Sequence, residues 1–217
     1  MPNSCGPAFF NPGLEYFVWG FRGIKGTSLD LRRKKQEIKE AIAIIDDFYL
    51  PQYEAAAKAI TPEDPHFFDC SSCPMGHTIL SSKQFEEFYW PSYKKHFDIT
   101  VENGLTNQMF AEGSFANKME FFQDIPAGHL CTFLESDDPF ETHKTLPNVV
   151  IAGGSPTSVL ANGTKEECID TAKKFVDELG SEGNYIYAIN KMISFPNDVK
   201  AENLLAVNEY MKECKLS

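Results

Sequence analysis

From residue 105 onward the chain repeats one pattern four times: a short apolar run, then a polar stretch with helical spacing. The runs fall at 105–111, 129–134, 148–152 and 184–189, and the candidate helices at about 114–124, 138–145, 164–179 and 201–213. Strands separated by a whole helix cannot pair as hairpins. They predict βαβ units and a parallel sheet. A fifth run, His66-Phe67-Phe68-Asp69, passes into Cys70-Ser71-Ser72-Cys73-Pro74-Met75-Gly76 and reads as strand into loop. About five parallel strands are expected.

Residues 1–27 are punctuated by Pro7, Pro12, Gly13, Gly20, Gly23 and Gly26, so this segment is expected to be a loop or lid connector with one aromatic helical turn near 14–19. A helix is expected from Ser28, because Ile38, Ala41, Ile42 and Ile45 recur on one face, and to run to Ala59 with a bend at Pro51. Two helix starts carry a capping box: Ser81-Ser82-Lys83-Gln84 and Thr164-Lys165-Glu166-Glu167. The first of these helices should stop at Asn103-Gly104.

Composition narrows the function classes. With 42% hydrophobic and 24% charged residues the chain is an ordinary globular one. A formal charge of -11 argues against a non-specific grip on nucleic-acid phosphate. No apolar stretch approaches the roughly 20 residues of a membrane-spanning helix, and the N-terminus lacks the pattern of a secretion signal, so the cytoplasm is the expected location. Six cysteines are too sparse and uneven for a disulfide framework, and free thiols are expected. The 18 phenylalanines fill a core or line an aromatic cavity. A closed (β/α)8 barrel needs eight strands, and no phosphate-binding glycine motif argues for a nucleotide-binding open sheet. Periodicity leaves both architectures open.

A resemblance separates them. The run 81–95, Gly104-Leu105-Thr106, Ala111-Glu112-Gly113-Ser114, Asp124-Ile125-Pro126-Ala127-Gly128, Ile151 to Leu160, Gly163 to Glu167 and Ala201-Glu202-Asn203-Leu204 resemble, in order and spacing, the uroporphyrinogen decarboxylase superfamily. That superfamily includes corrinoid-linked methyltransferases. Gly20-Phe21-Arg22-Gly23 and Leu29-Asp30-Leu31-Arg32-Arg33 resemble its middle segment. The resemblance implies an α/β fold, a (β/α)8 TIM barrel incomplete in this chain, with residues 28–217 as the C-terminal part of one barrel domain, strands four to eight. It implies an N-terminal complement of the barrel, or a homo-oligomer, to cover open sheet edges.

In such a barrel the active site lies past the C-terminal ends of the strands. The candidate catalytic residues are therefore Glu112, His77 and Lys191, and the candidate substrate-binding residues Arg22, Asp69, Glu135, Gly153, Gly154 and Ser155. Six of these, Asp69, His77, Glu112, Glu135, Ser155 and Lys191, are expected on one rim. Glu112 suits a general base or a hard oxygen ligand, against the plainer reading of a helix cap. Lys191 and Arg22 suit substrate carboxylates, against solvated surface charge. Gly153-Gly154-Ser155 suits close backbone approach and an anion, against a simple turn.

The methyltransferase branch is similar in carrying a His-x-Cys zinc pair at strand five and a later cysteine. Here those positions read Phe110-Ala111-Glu112 and Asn190-Lys191-Met192, so zinc at the family position is not expected, nor any tightly bound cofactor. A remaining route combines Glu112 with His77 and Cys70 or Cys73. The expected function is methyl transfer with a corrinoid carried by a partner protein. The alternatives are decarboxylation of a tetrapyrrole acid and a non-catalytic barrel that binds a ligand or partner, without nucleic acid or membrane.

Overall fold

The computed structural model describes residues 8–61 and 68–214. Six parallel strands form one sheet in the order β1-β2-β3-β4-β5-β6: β1 Ala8–Phe9, β2 Cys70–Ser72, β3 Asn107–Ala111, β4 Leu130–Leu134, β5 Val150–Gly153 and β6 Tyr185–Ile186. This is an α/β fold consistent with a partial (β/α) barrel.

The expected count of five strands is corrected to six among the described residues. The added strand, β1, lies in the segment expected to be a loop. It is too short to show a period of two in sequence, and pairing fixes it: Ala8 opposes Cys70, Phe9 opposes Ser71, and Phe10 N–H donates to Ser71 O at 3.1 Å. After it come α1 (Gly13–Tyr16), a π-helical turn (Phe17–Phe21) and α2 (Gly23–Arg33). The single helix expected from Ser28 is broken at Lys34, and α3 (Lys35–Lys58) follows with Pro51 inside it. β2 begins at Cys70, later than the run 66–69; residues 66 and 67 lie outside the described residues.

Alternation along the strands divides the two faces of the sheet. Met109, Ala111, Leu130, Leu134 and Ile151 face the helices and join Phe85, Phe88, Tyr89, Tyr93 and Phe97 in the main core. These aromatics come from α4 (Ser82–Phe88) and α5 (Trp90–Glu102), separated at Tyr89. The capping box at Ser81 and Gln84 is present. On the other face Phe110, Phe133, Ala152 and Ile186 stand in register, with Phe110 and Phe133 stacked at 6.5 Å between centroids.

The second half supplies α6 (Pro139–Thr145), capped by Asp138, then α7 (Thr157–Asn162), α8 (Lys165–Leu179) and α9 (Ala201–Glu213). In α8, Cys168, Ala172, Phe175, Val176 and Leu179 are buried at helical spacing behind the Thr164/Glu167 capping box. The helix expected at 114–124 is reduced to a four-residue 3-10 turn, Met119–Phe122. Asp137 accounts for the difference: its carboxylate accepts from Ser114 Oγ at 2.5 Å and from the Phe115 amide at 2.7 Å, which anchors the start of the crossover before a helix can begin.

No helix among the described residues is long and apolar enough to cross a membrane. Cys70, Cys131, Cys168 and Cys214 are free thiols, and Cys5 lies outside the described residues.

Candidate functional site

Parallel strands send every strand-to-helix loop to the same edge of the sheet, so that edge collects polar groups from distant parts of the chain. The loop after β2 brings Cys73, whose thiol donates to Glu112 Oε1 at 3.8 Å. Asn11, just past β1, holds this loop by accepting the Cys73 amide at 3.0 Å. Glu112 follows β3 directly. Gly113 comes next at φ +70°, and a Cβ there would lie 2.8 Å from Thr78 Cγ2, so glycine lets the loop after β2 close over the end of β3.

Glu135, past β4, accepts the Gly113 amide at 2.8 Å and meets Lys191 Nζ at 3.1 Å. The Gly113 N–H first, then the Lys191 ammonium, hold its carboxyl below the ordinary range. Asn190 ties the end of β6 into the same network: its amide donates to Glu135 O at 3.1 Å and its carbonyl accepts from the Thr157 amide at 3.0 Å. Lys191 opens onto a cavity of about 400 Å³ shared with Thr157, Ser158 and Phe195. A larger cavity, about 710 Å³, lies among the helices between α5 and residues 120–126, away from this rim.

His77 is fully buried. Its Nε2 donates to the Glu112 carbonyl at 2.7 Å, its ring stacks on Phe115 at 3.6 Å, and its Nδ1 has no partner. Burial lowers its pKa to about 4, so the ring is neutral at pH 7.

Of the remaining expected site residues, Asp69 lies off this rim, Arg22 is paired with Asp30, and Ser155 follows β5 and stays beside Asn190. Asp69 is corrected: it precedes β2 instead of following it, and its carboxylate accepts the Thr106 amide at 2.8 Å at the opposite end of the sheet. Arg22 sits between the π-helical turn and α2, with its guanidinium on Asp30 at 2.6 Å. Ser155 is buried, and its hydroxyl bonds Tyr187 at 3.0 Å.

Gly153 and Gly154 both have φ +83°. A Cβ on Gly153 would lie 3.3 Å from the Ile189 and Leu134 carbonyls, and one on Gly154 would lie 2.6 Å from Pro139 Cγ. Gly154→Ala combines a left-handed backbone with that overlap and is expected to destabilise the fold by about 2–4 kcal/mol. Chemical denaturation at neutral pH checks this; a loss under about 1 kcal/mol would show that α6 moves aside easily.

Glu15 is the residue that sequence reasoning missed. It lies in α1 with 1% exposure, yet four donors converge on its carboxylate. They are the Met75 amide at 2.8 Å, the Gly76 amide at 2.6 Å, Trp19 Nε1 at 2.7 Å and, closer still, the Tyr89 hydroxyl. Burial pushes this carboxyl up from its ordinary range, while the four donors pull it back. The available signal was one acid inside the aromatic run Leu14-Glu15-Tyr16-Phe17-Val18-Trp19.

Among the described residues no three His, Cys, Asp or Glu side chains converge to hold a metal ion. Beside Cys73 and Glu112, the His77 Nε2 is committed to a carbonyl and its Nδ1 is buried without a partner, so the donors gathered at the end of β3 are Cys73 and Glu112, where catalytic zinc takes three from protein. The donor set does not fit zinc.

The sequence pattern of a family described as Uroporphyrinogen decarboxylase (URO-D) matches residues 16–214. The expectation of a C-terminal fragment is corrected by this match, which takes in almost the whole chain, including residues before 28. No curated protein sequence matches. Among solved structures, a methyltransferase from Methanosarcina mazei is similar at a TM-score of 0.67 and 13% identity, covering 94% of this chain. The chain spans 57% of the length of that protein. At that identity the likeness is one of fold.

Proposed function

The chain belongs to the uroporphyrinogen decarboxylase family, and from that premise we propose that it is a carboxy-lyase acting on a tetrapyrrole-type acid at the rim formed by Glu112, Glu135 and Lys191. The observation that carries this reading is the family match over residues 16–214, joined to a rim that holds both a cation and a thiol that donates to a carboxyl.

Lys191 is suited to a substrate carboxylate, because its ammonium is two-thirds exposed and its present partner, Glu135, keeps a second anchor in Gly113 when the lysine turns to an anion. In the reaction the bond from carbon to the carboxylate breaks, CO2 leaves, and the electron pair left on carbon takes a proton. The Cys73 thiol, which donates to Glu112 Oε1, carries the proton at this rim, and Glu112 relays it to that carbon. His77 is a positioning residue: buried and neutral, it holds the Glu112 backbone from below. Gly153, Gly154 and Ser155 shape the wall between β4 and β6.

A second reading, methyl transfer with a corrinoid carried by a partner protein, is favoured by one feature, the thiol of Cys73 against Glu112. The test assays CO2 release from uroporphyrinogen and methyl transfer from methylcobalamin in parallel. CO2 release is expected, Glu112→Gln is expected to lower its rate at least about 100-fold with the unfolding midpoint unchanged, and Lys191→Ala to raise KM with a smaller effect on kcat. Methyl transfer without CO2 release would overturn the lyase reading in favour of the second.

A further inference from the structure

Beside the rim, at the β1 edge of the sheet, Phe9, Asn11, Glu15, Tyr16 and Trp19 line a cavity of about 230 Å³. Three of the five side chains are aromatic. Phe9 and Trp19 are each 57% exposed, which is unusual for residues of that size and costs solvation that packing elsewhere would recover.

Two neighbours hold these walls in place. Tyr16 stacks on Tyr49 with centroids 4.6 Å apart, and the Trp19 indole N–H is anchored on Glu15 at 2.7 Å. Tyr16 keeps its proton, because burial raises its pKa to about 12, so all three rings are neutral and present electron-rich faces. Behind them lies a carboxylate whose four donors, two backbone amides, an indole and a phenol, are all neutral. Its charge is solvated by dipoles and balanced by no cation among them.

Aromatic faces around a small cavity, with a negative charge behind, attract a cation that sheds its water easily. A metal ion would ask for several oxygen ligands, whereas the Glu15 carboxyl already accepts three donors on Oε1 and one on Oε2. A quaternary ammonium asks for none. We propose that this cavity is a binding site for a small alkylammonium cation of the quaternary ammonium class, held by Phe9, Tyr16 and Trp19 over Glu15. The cavity shares Asn11 with the rim, where that side chain accepts the Cys73 amide, but its ligand touches neither Glu112 nor Lys191 and is tested without them.

Choline and tetramethylammonium are the probes, and 3,3-dimethyl-1-butanol, the uncharged carbon analogue of choline, is the control. Calorimetric titration of the full chain is expected to show one site for either cation and at least tenfold weaker binding of the neutral analogue. Trp19→Leu is expected to weaken choline about tenfold, and Phe9→Leu several-fold, whereas Trp19→Phe, which keeps a ring, retains most of the affinity. Both positions are largely exposed, and coincident thermal unfolding of variants and parent checks that the fold is intact. Equal binding of choline and its neutral analogue would overturn the proposal by reducing the cavity to an apolar pocket. Choline affinity unchanged by Trp19→Leu, or no saturable binding of either cation, would overturn it as well.

Discussion

Glu15→Ala is expected to lower the unfolding free energy by about 3–5 kcal/mol, the cost of leaving several buried donors without an acceptor. The Met75 and Gly76 amides, the Tyr89 hydroxyl and the Trp19 indole would all lose their partner at once. Glu15→Gln keeps one oxygen acceptor and brings in a donor facing donors, so it should recover only part of the loss. Urea titration of parent and both variants at pH 7 is the measurement. A loss near 1 kcal/mol for the alanine variant would mean that water reaches the loop after β2 and replaces the carboxylate.

Acid is expected to weaken the fold through two buried histidines. Burial holds His77 at about 4 and His96 at about 3, against 6.5 for the free side chain. Both folded values are depressed, so between pH 6.5 and about 4 the unfolded chain takes up two protons that the folded chain refuses. Stability is therefore complete above 6.5 and falls as the pH drops, with a slope near 2.7 kcal/mol per pH unit and a loss on the order of 5 kcal/mol by pH 4.5. Glu15 works in the opposite direction, because its raised carboxyl favours the folded state as protons are added. The check is the urea midpoint followed from pH 7 to 4.5 in parent and His96→Gln. Halving of the slope is the expected result; an unchanged slope would assign the acid sensitivity to carboxylates instead.

What the sequence made legible follows from how each element is stabilised. The strands at 107–111, 130–134 and 150–153 were readable because each is long enough to show its apolar pattern and lies between amphipathic segments. β1 was not, since two residues carry no period and its place is set by pairing with residues more than sixty positions away. Propensity and spacing suggested a helix at 114–124, yet Asp137, brought in from the next loop, decided otherwise. The site shows the same division. Glu112 and Glu135 are legible because each directly follows a strand, and Lys191 because it lies in the loop five residues past β6, whereas the place of Asp69 depends on where β2 begins. Glu15 acquires its importance only when α1 is laid against the loop after β2.

The strand order has a consequence for how the chain comes to be folded at all. Every strand pairs with its immediate neighbours in sequence, so from β2 onward each ladder closes as soon as one crossover is complete, and β1 alone waits more than sixty residues for its partner. A chain emerging from the ribosome can therefore add one strand at a time to a growing edge. Loss of structure should retrace that path from the outside. Amide protons of β1 and β6, which pair on one side over two residues each, are expected to exchange first, and those of β3 and β4, inside the longest ladder, last. The molecule would then melt as a fan closes, from its outer ribs toward the middle.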